Sequence, residues 1–568
     1  MYTSQDHPEH RVGTAEGSAQ LRIHRLGPHP ILNHFLARMT LPRIVRSCLS
    51  TARLSSLDHA QTLCCLLHNI VLSPGPLYRI AEWAHPIDTR ALELTAAEKA
   101  ALNDDRVART LDVLASERSR SLFFRLALHL IRDFELDVRR IHQDTTTVTF
   151  YGRYETSLRP PRITRGLSKD HRPDLNQLVF GVSVTADGAV PLAHEIHSGN
   201  RTDDTLHRSN LDRLREILGT EDFIYVADSK LCTAKNLKHI VDHHGFFVTV
   251  MPRTRAEDHE FRERLRRAPV RWRRLHVQPN SRRQSDPPDV YETTTDGPQE
   301  TREGYRLIWI RSSQKAAHDA EARTRALQTA QEDLVELGAR LNRGRLRRRG
   351  SILKAARAIL KQRDCEDLLR VAVRAQTRVR LRHLRRGRPR PDDPVREERR
   401  TWYRLEFAPE EAALRSQART DGVFPLVTNL AARPYSKKKV LLIYKYQPYV
   451  EKRHALLKSE LEVAPVYLKR PQRVVGLIHA HFLAMVLEAL IERTVRLAMV
   501  REGIDSLPIL PEGRLTRTPT APRILEKFTG VSWYEFERGD ETVTFPVELS
   551  PLQKDLLRLL GMDPRSYD

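Results

Sequence analysis

Near position 140 the recurrence of apolar residues changes from the helical period of 3.6 to the strand period of 2, and this limits the folds open to the 568-residue chain. "RIHQDTTTVTFYG", "QLVFGVSVTADG" and "VPLAHEIHSGN" follow one another as strands, the last two joined by Asp187-Gly188, a hairpin signal. A helical pattern, "DDTLHRSNLDRLREILG", comes next, then the apolar run "DFIYVAD", a helix at "TAKNLKHIVDHHG" and the strand "FFVTVMPR". Three antiparallel strands followed by alternating helix and strand predict a mixed α/β sheet with helices on its faces.

Two acids are awkwardly placed in that sheet. Period two puts His142, Asp144, Thr146, Val148 and Phe150 on one face, so Asp144 lies beside an apolar pair. A bare carboxylate there costs roughly several kcal/mol unless a cation or hydrogen-bond donors meet it. Asp228 closes "FIYVAD", whose unbroken apolar run reads as a central strand. Ligands of open α/β sheets collect at such carboxyl ends, although an Asp that merely starts a turn is an equal reading. Further on, "KKKVLLIYKYQPYVEKRHALLKSEL" reads as a strand running into a helix that starts at Pro448. Glu451 and Lys458 then share one helix face, about 10 Å apart along the axis. A first-turn glutamate also answers the helix macrodipole, so alone it proves nothing.

Composition narrows the partners. With 95 Lys+Arg against 72 Asp+Glu the chain carries +23, the footprint of a nucleic-acid ligand, with a solvated basic surface as the bland alternative. Five cysteines form no CxxC pair and no zinc spacing, which fits a reducing cytoplasm. Residues 1–20 lack the apolar stretch of a signal peptide and read as a flexible tail. His479, His481 and Glu488 interrupt the apolar run 474–491, which predicts a buried core helix and no membrane partner.

Residues 21–135 read as a helical N-terminal domain, with a DNA reader among its possible roles. Residues 253–420 are Arg-rich. Their strand-like "YRLIWI" and "TWYRLEF" flank a helical hairpin: a stripe with Leu327, Leu334 and Leu341, a basic break at "NRGRLRRRGS", and a second helix through "ILKAARAILKQRDCEDLLRVAV". "RLRHLRRGRPRPDDP" reads as an exposed loop, and arginines at this density suit phosphate contacts. Residues 506–568 form a Pro-rich linker and a small strand-helix unit.

Taken in order, these stretches resemble the insertion-sequence transposases that carry an Asp-Asp-Glu triad and the signature Y-x2-R-x3-E-x6-K. Tyr444, Glu451 and Lys458 match it, with Gln447 in place of the arginine. "SKDHRPDLNQLVFGVSVTADGAVPLAHEIHSGNRTDD", "TDGVFPLVTN" and the N-terminal "LGPHPILNHFLARMTL" are similar to further stretches of a subgroup with an N-terminal helical domain. The resemblance implies a ribonuclease H-like α/β core (136–252 and 421–505), interrupted by a mixed helical and β insertion (253–420) and preceded by an all-helical domain. It implies Asp144, Asp228 and Glu451 as catalytic and metal-holding residues, separated by 84 and 223 residues. It further implies two Mg²⁺ or Mn²⁺ ions, DNA contacts from Tyr444, Gln447 and Lys458, and an aromatic of the insertion (Trp272, Trp309 or Trp402) as a candidate base clamp. The expected activity is endonucleolytic cleavage at terminal inverted repeats and strand transfer into target DNA, by a synaptic homodimer associated with the nucleoid. The alternatives are a nuclease or resolvase on the same core, or a catalytically degraded DNA-binding protein.

Overall fold

The strand-period segments do build a mixed sheet. In the computed structural model, Arg140–Phe150, Asn176–Thr185 and Pro191–Ser198 pair antiparallel in succession, and Ile224–Val226 and Phe246–Val250 continue the sheet in parallel from Arg140–Phe150. The structure describes residues 19–51, 55–152, 154, 160–169, 172–202, 205–280, 287–384, 394–463, 468–538 and 541–568. The tail expected over residues 1–20 and the loop expected at "RLRHLRRGRPRPDDP" fall largely outside them. The chain divides into two units, residues 1–249 with 442–568, and residues 250–441.

In the first unit the sheet is covered by His207–Leu218 and Ala234–Asp242, which bury Leu211, Leu214 and Ile217, and Leu237 and Ile240, respectively. Gly188, at φ 150°, makes the hairpin turn between the second and third strands, and Arg493 fills the space a side chain there would take. The run 474–491 is indeed a core helix: Pro471–Glu502 is long and apolar enough to span a bilayer, but 94% of its apolar window is buried inside this unit. It packs against His59–Leu72 and Asp104–Leu114, and Gly476 lets its backbone approach that of Leu111. The expectation of an all-helical N-terminal domain needs correction. Ala19–Arg25 is a strand that pairs antiparallel with Ser532–Arg538, which pairs in turn with Glu541–Phe545. Leu21 and Ile23 alternate with the polar Gln20, Arg22 and His24 as a strand requires, but their partner lies some 510 residues away and leaves no local signal.

The second unit holds four antiparallel strands in the order Val423–Thr428, Arg306–Ser312, Asp289–Thr294, Arg273–Gln278. The helical hairpin is present as Ser313–Ala339 and Arg349–Gln362, joined through a shared core of Ala330, Leu334, Leu337, Ile352, Ala356 and Leu360. Its second helix ends earlier than the apolar pattern implies. Asp364 turns into the left-handed region (φ 53°), and "LLRVAV" enters the strand Leu369–His383, paired with Val395–Pro409 as a two-stranded ribbon. The strand expected at "KKKVLLIY" is likewise a helix, Lys437–Tyr444. A short unbroken apolar run suits either state, and the sheet position is taken by Val423–Thr428 instead. Of the three tryptophans, Trp309 is fully buried with its Nε1–H donating to Pro298 O, Trp272 is half-buried under Arg311, and Trp402 is exposed on the ribbon.

Candidate active site

Asp144 sits mid-strand, opposite Val182, with side-chain exposure of 19%. The Thr145 N–H donates to its Oδ1 (2.8 Å). Lys169 Nζ lies 3.7 Å from the same oxygen while donating to Thr145 O (2.6 Å) and Oγ1 (2.8 Å), and His454 Nε2 lies 3.7 Å from Oδ2. The carboxylate therefore meets both a backbone donor and a cation, the compensation its apolar surroundings demand. Neither Lys169 nor His454 stands out from composition, though His454, three residues after Glu451, lies on the same helix face.

Asp228 follows the parallel strand Ile224–Val226, at the carboxyl edge of the sheet. Its Oδ1 accepts from Lys230 N–H (3.0 Å), and its carbonyl accepts from Thr249 Oγ1 (2.6 Å), tying it to the neighbouring strand. Glu451 is in the first turn of Pro448–Ser459. It keeps solvent contact, yet partial burial first, and then the negative charges of Asp144 and Asp228, push its pKa above the usual carboxylate value. Tyr444 feels the charges of the same acids. Burial raises its phenol, and the charges of Asp228, Glu451 and Asp144 raise it further, so it stays a neutral donor at physiological pH.

The helix bearing Glu451 is fixed by Arg453, which is buried. Its guanidinium donates to Ala189 O and Gly188 O, both at 2.9 Å, and to Glu492 Oε2 at 2.9 Å. The hairpin turn, the Glu451 helix and the core helix thus share one buried ion-paired network. Lys458 is half-buried in the last turn of the same helix.

Gln447 does not take the place the resemblance implies for it. It is 5% exposed, its Oε1 accepts from His142 Nδ1 (3.1 Å), and its Nε2 donates to Gln143 O (2.7 Å). A side chain whose amide is used at both ends on buried groups is not offered to a duplex. It braces the strand that carries Asp144 against the approach to the Glu451 helix. His142 is correspondingly neutral, its pKa lowered by burial to about 4.

Carboxylate oxygens are donors for hard cations such as Mg²⁺ or Mn²⁺, and the mutual repulsion felt by Glu451 is of the sign a cation relieves. Among the described residues, no group of three or more His, Cys, Asp or Glu side chains forms a cluster that could hold an ion. The three acids thus sense one another's charge without standing as a closed ligand cage.

A family model described as a domain of unknown function (DUF4277) matches residues 21–128. No curated protein matches the chain. Among solved structures, a cryo-EM structure of a piggyBac transposase synaptic complex with hairpin DNA is similar at a TM-score of 0.28 and 11% identity, covering 52% of this chain and 63% of that one.

Proposed function

We propose that the chain is a DNA transposase of the Asp-Asp-Glu type, which cleaves the ends of an insertion sequence and joins them to target DNA. The observation that supports this most is that Asp144, Asp228 and Glu451, borne on a strand centre, a strand end and a helix start, all act on the charge state of the Tyr444 phenol. Asp144 and Asp228, far from Glu451 in sequence, raise the cost of ionising it, which argues for a cationic ligand in the working enzyme. The net charge of +23 suits a polyanionic substrate.

In this reading Asp144, Asp228 and Glu451 would hold two Mg²⁺ or Mn²⁺ ions. Bound there, such ions supply Lewis acidity and charge neutralisation for in-line displacement at phosphorus. Tyr444 donates a hydrogen bond to a phosphate oxygen beside the scissile bond, and Lys458 places a positive charge on the neighbouring phosphate. Gln447 acts at one remove by holding the Asp144 strand. The enzyme works as a homodimer on paired terminal repeats, in the cytoplasm at the nucleoid.

The test is cleavage of DNA carrying the element's own ends, with Mg²⁺ supplied. Asp228→Asn should abolish cutting and joining while duplex binding persists. Undiminished cutting by that variant would remove Asp228 from the chemistry and the proposal with it.

A further inference from the structure

The ribbon Leu369–His383 with Val395–Pro409 has two unlike faces. Residues directly opposite on antiparallel strands point to the same side. One face carries Val371 opposite Phe407 and Val373 opposite Leu405, and this end packs on the helical hairpin core. The other face places Arg374 opposite Arg404, Arg378 opposite Arg400 and Arg382 opposite Arg396, all six exposed. These arginine rungs recur every four residues, so they stand about 13 to 14 Å apart along the strands. Between the first two lies Gln376 opposite Trp402, whose exposed ring has the Arg378 guanidinium 4.7 Å from its centroid.

Like charges directly opposite destabilise a strand pair, and a ribbon without further strands is marginal to begin with. Glu406 offsets Arg374 (3.1 Å) and Glu398 offsets Arg400 (3.0 Å), but two carboxylates do not balance six guanidiniums. Three like-charged rungs in one row are the pattern a polyanion neutralises. Arginine's planar fork, in contrast to lysine's point charge, matches phosphate oxygens. Fifteen residues per strand give a ribbon about 50 Å long, and a two-stranded ribbon fits the major groove of duplex DNA.

We propose that the arginine face of this ribbon is a seat for duplex DNA, with Arg374, Arg378, Arg382, Arg396, Arg400 and Arg404 on its phosphates. The choice of duplex DNA rests on the transposase reading; the charge pattern does not.

The experiment measures binding of the full chain to a labelled duplex carrying the element's ends across a series of KCl concentrations. Arg378→Gln, Arg382→Gln, Arg396→Gln and Arg400→Gln are combined in one variant. A control removes four exposed positive charges from the helical hairpin (Arg325→Gln, Lys354→Gln, Arg357→Gln, Lys361→Gln). The ribbon variant should lower the slope of log K against log salt by roughly 3 units, and the control by clearly less. Equal slopes for the two variants overturn the inference. Relief of the arginine rungs should leave the melting temperature of the free ribbon variant unchanged or raised. If it falls, the matching Arg→Lys variant decides, a retained slope supporting the seat and a lost slope overturning it. Asp228→Asn keeps the two readings apart. Its loss of cutting with a normal salt slope concerns the active site, and coinciding slopes beside intact cutting concern the ribbon alone.

Discussion

Glu488 lies within the core helix at 1% exposure, and neither carboxyl oxygen has a hydrogen-bond partner among the described residues. Burial, with added repulsion from Glu492, raises its pKa to about 8, against which the positive charge of Arg453 pulls only in part. A carboxyl whose folded pKa is raised stabilises the fold fully below its unfolded value near 4.5, and that stability is lost as pH rises toward 8. Each pH unit in this window shifts the balance by about 1.4 kcal/mol, so from pH 5 to pH 8 this one group withdraws roughly 3 to 4 kcal/mol. Glu488→Gln keeps the volume and removes the titration. Urea unfolding of both proteins at pH 5, 6, 7 and 8 should give stability curves that diverge steadily, the variant gaining on the native chain as pH rises. Parallel curves, offset by a constant, would show that Glu488 is ionised or solvated in the fold and would refute the reasoning.

The buried histidines give the opposite limb. His29 (about 4) and His479 (about 3) have pKa values lowered by burial, so their stability is present above pH 6.5 and is lost as pH falls through the folded values. His479→Gln should flatten the acid limb of the stability profile. Gly476→Ala would place a Cβ 2.2 Å from Leu111 O, a backbone atom with little room to move, and should cost about 1 to 3 kcal/mol or more, read as a lowered melting temperature. Gln447→Leu and His142→Phe each strand a buried polar partner and should each cost roughly 1 to 3 kcal/mol, whereas the double variant should cost less than their sum. Strict additivity in that cycle would show that the hydrogen bond between them contributes nothing.

How much of the site was legible depended on how far each residue's meaning reached along the chain. Asp144 and Asp228 could be placed because strand period and strand end are local properties, and a sheet of this order brings a first-strand centre near the end of the adjacent parallel strand. Glu451 could be placed at a helix start from Pro448. The strand Ala19–Arg25 and the "LLRVAV" ribbon strand were hidden because a strand is completed by its partner, and for Ala19–Arg25 that partner lies more than 500 residues away. The helix Lys437–Tyr444 was hidden because eight apolar and basic residues fit either state.

Gln447 is the sharpest case. As a letter it departs from a signature that expects a charged arginine. In three dimensions its neutral amide is what the position requires, because it lies buried between a carbonyl acceptor and a histidine held uncharged. A guanidinium confined to the same space would have to shed most of its hydration beside an imidazole that cannot return a compensating charge, and burial of a charge without such a partner costs more than a lost hydrogen bond. His142 and Gln447 therefore act as one neutral hydrogen-bonded pair, which ties the Asp144 strand to the residues that lead into the Glu451 helix.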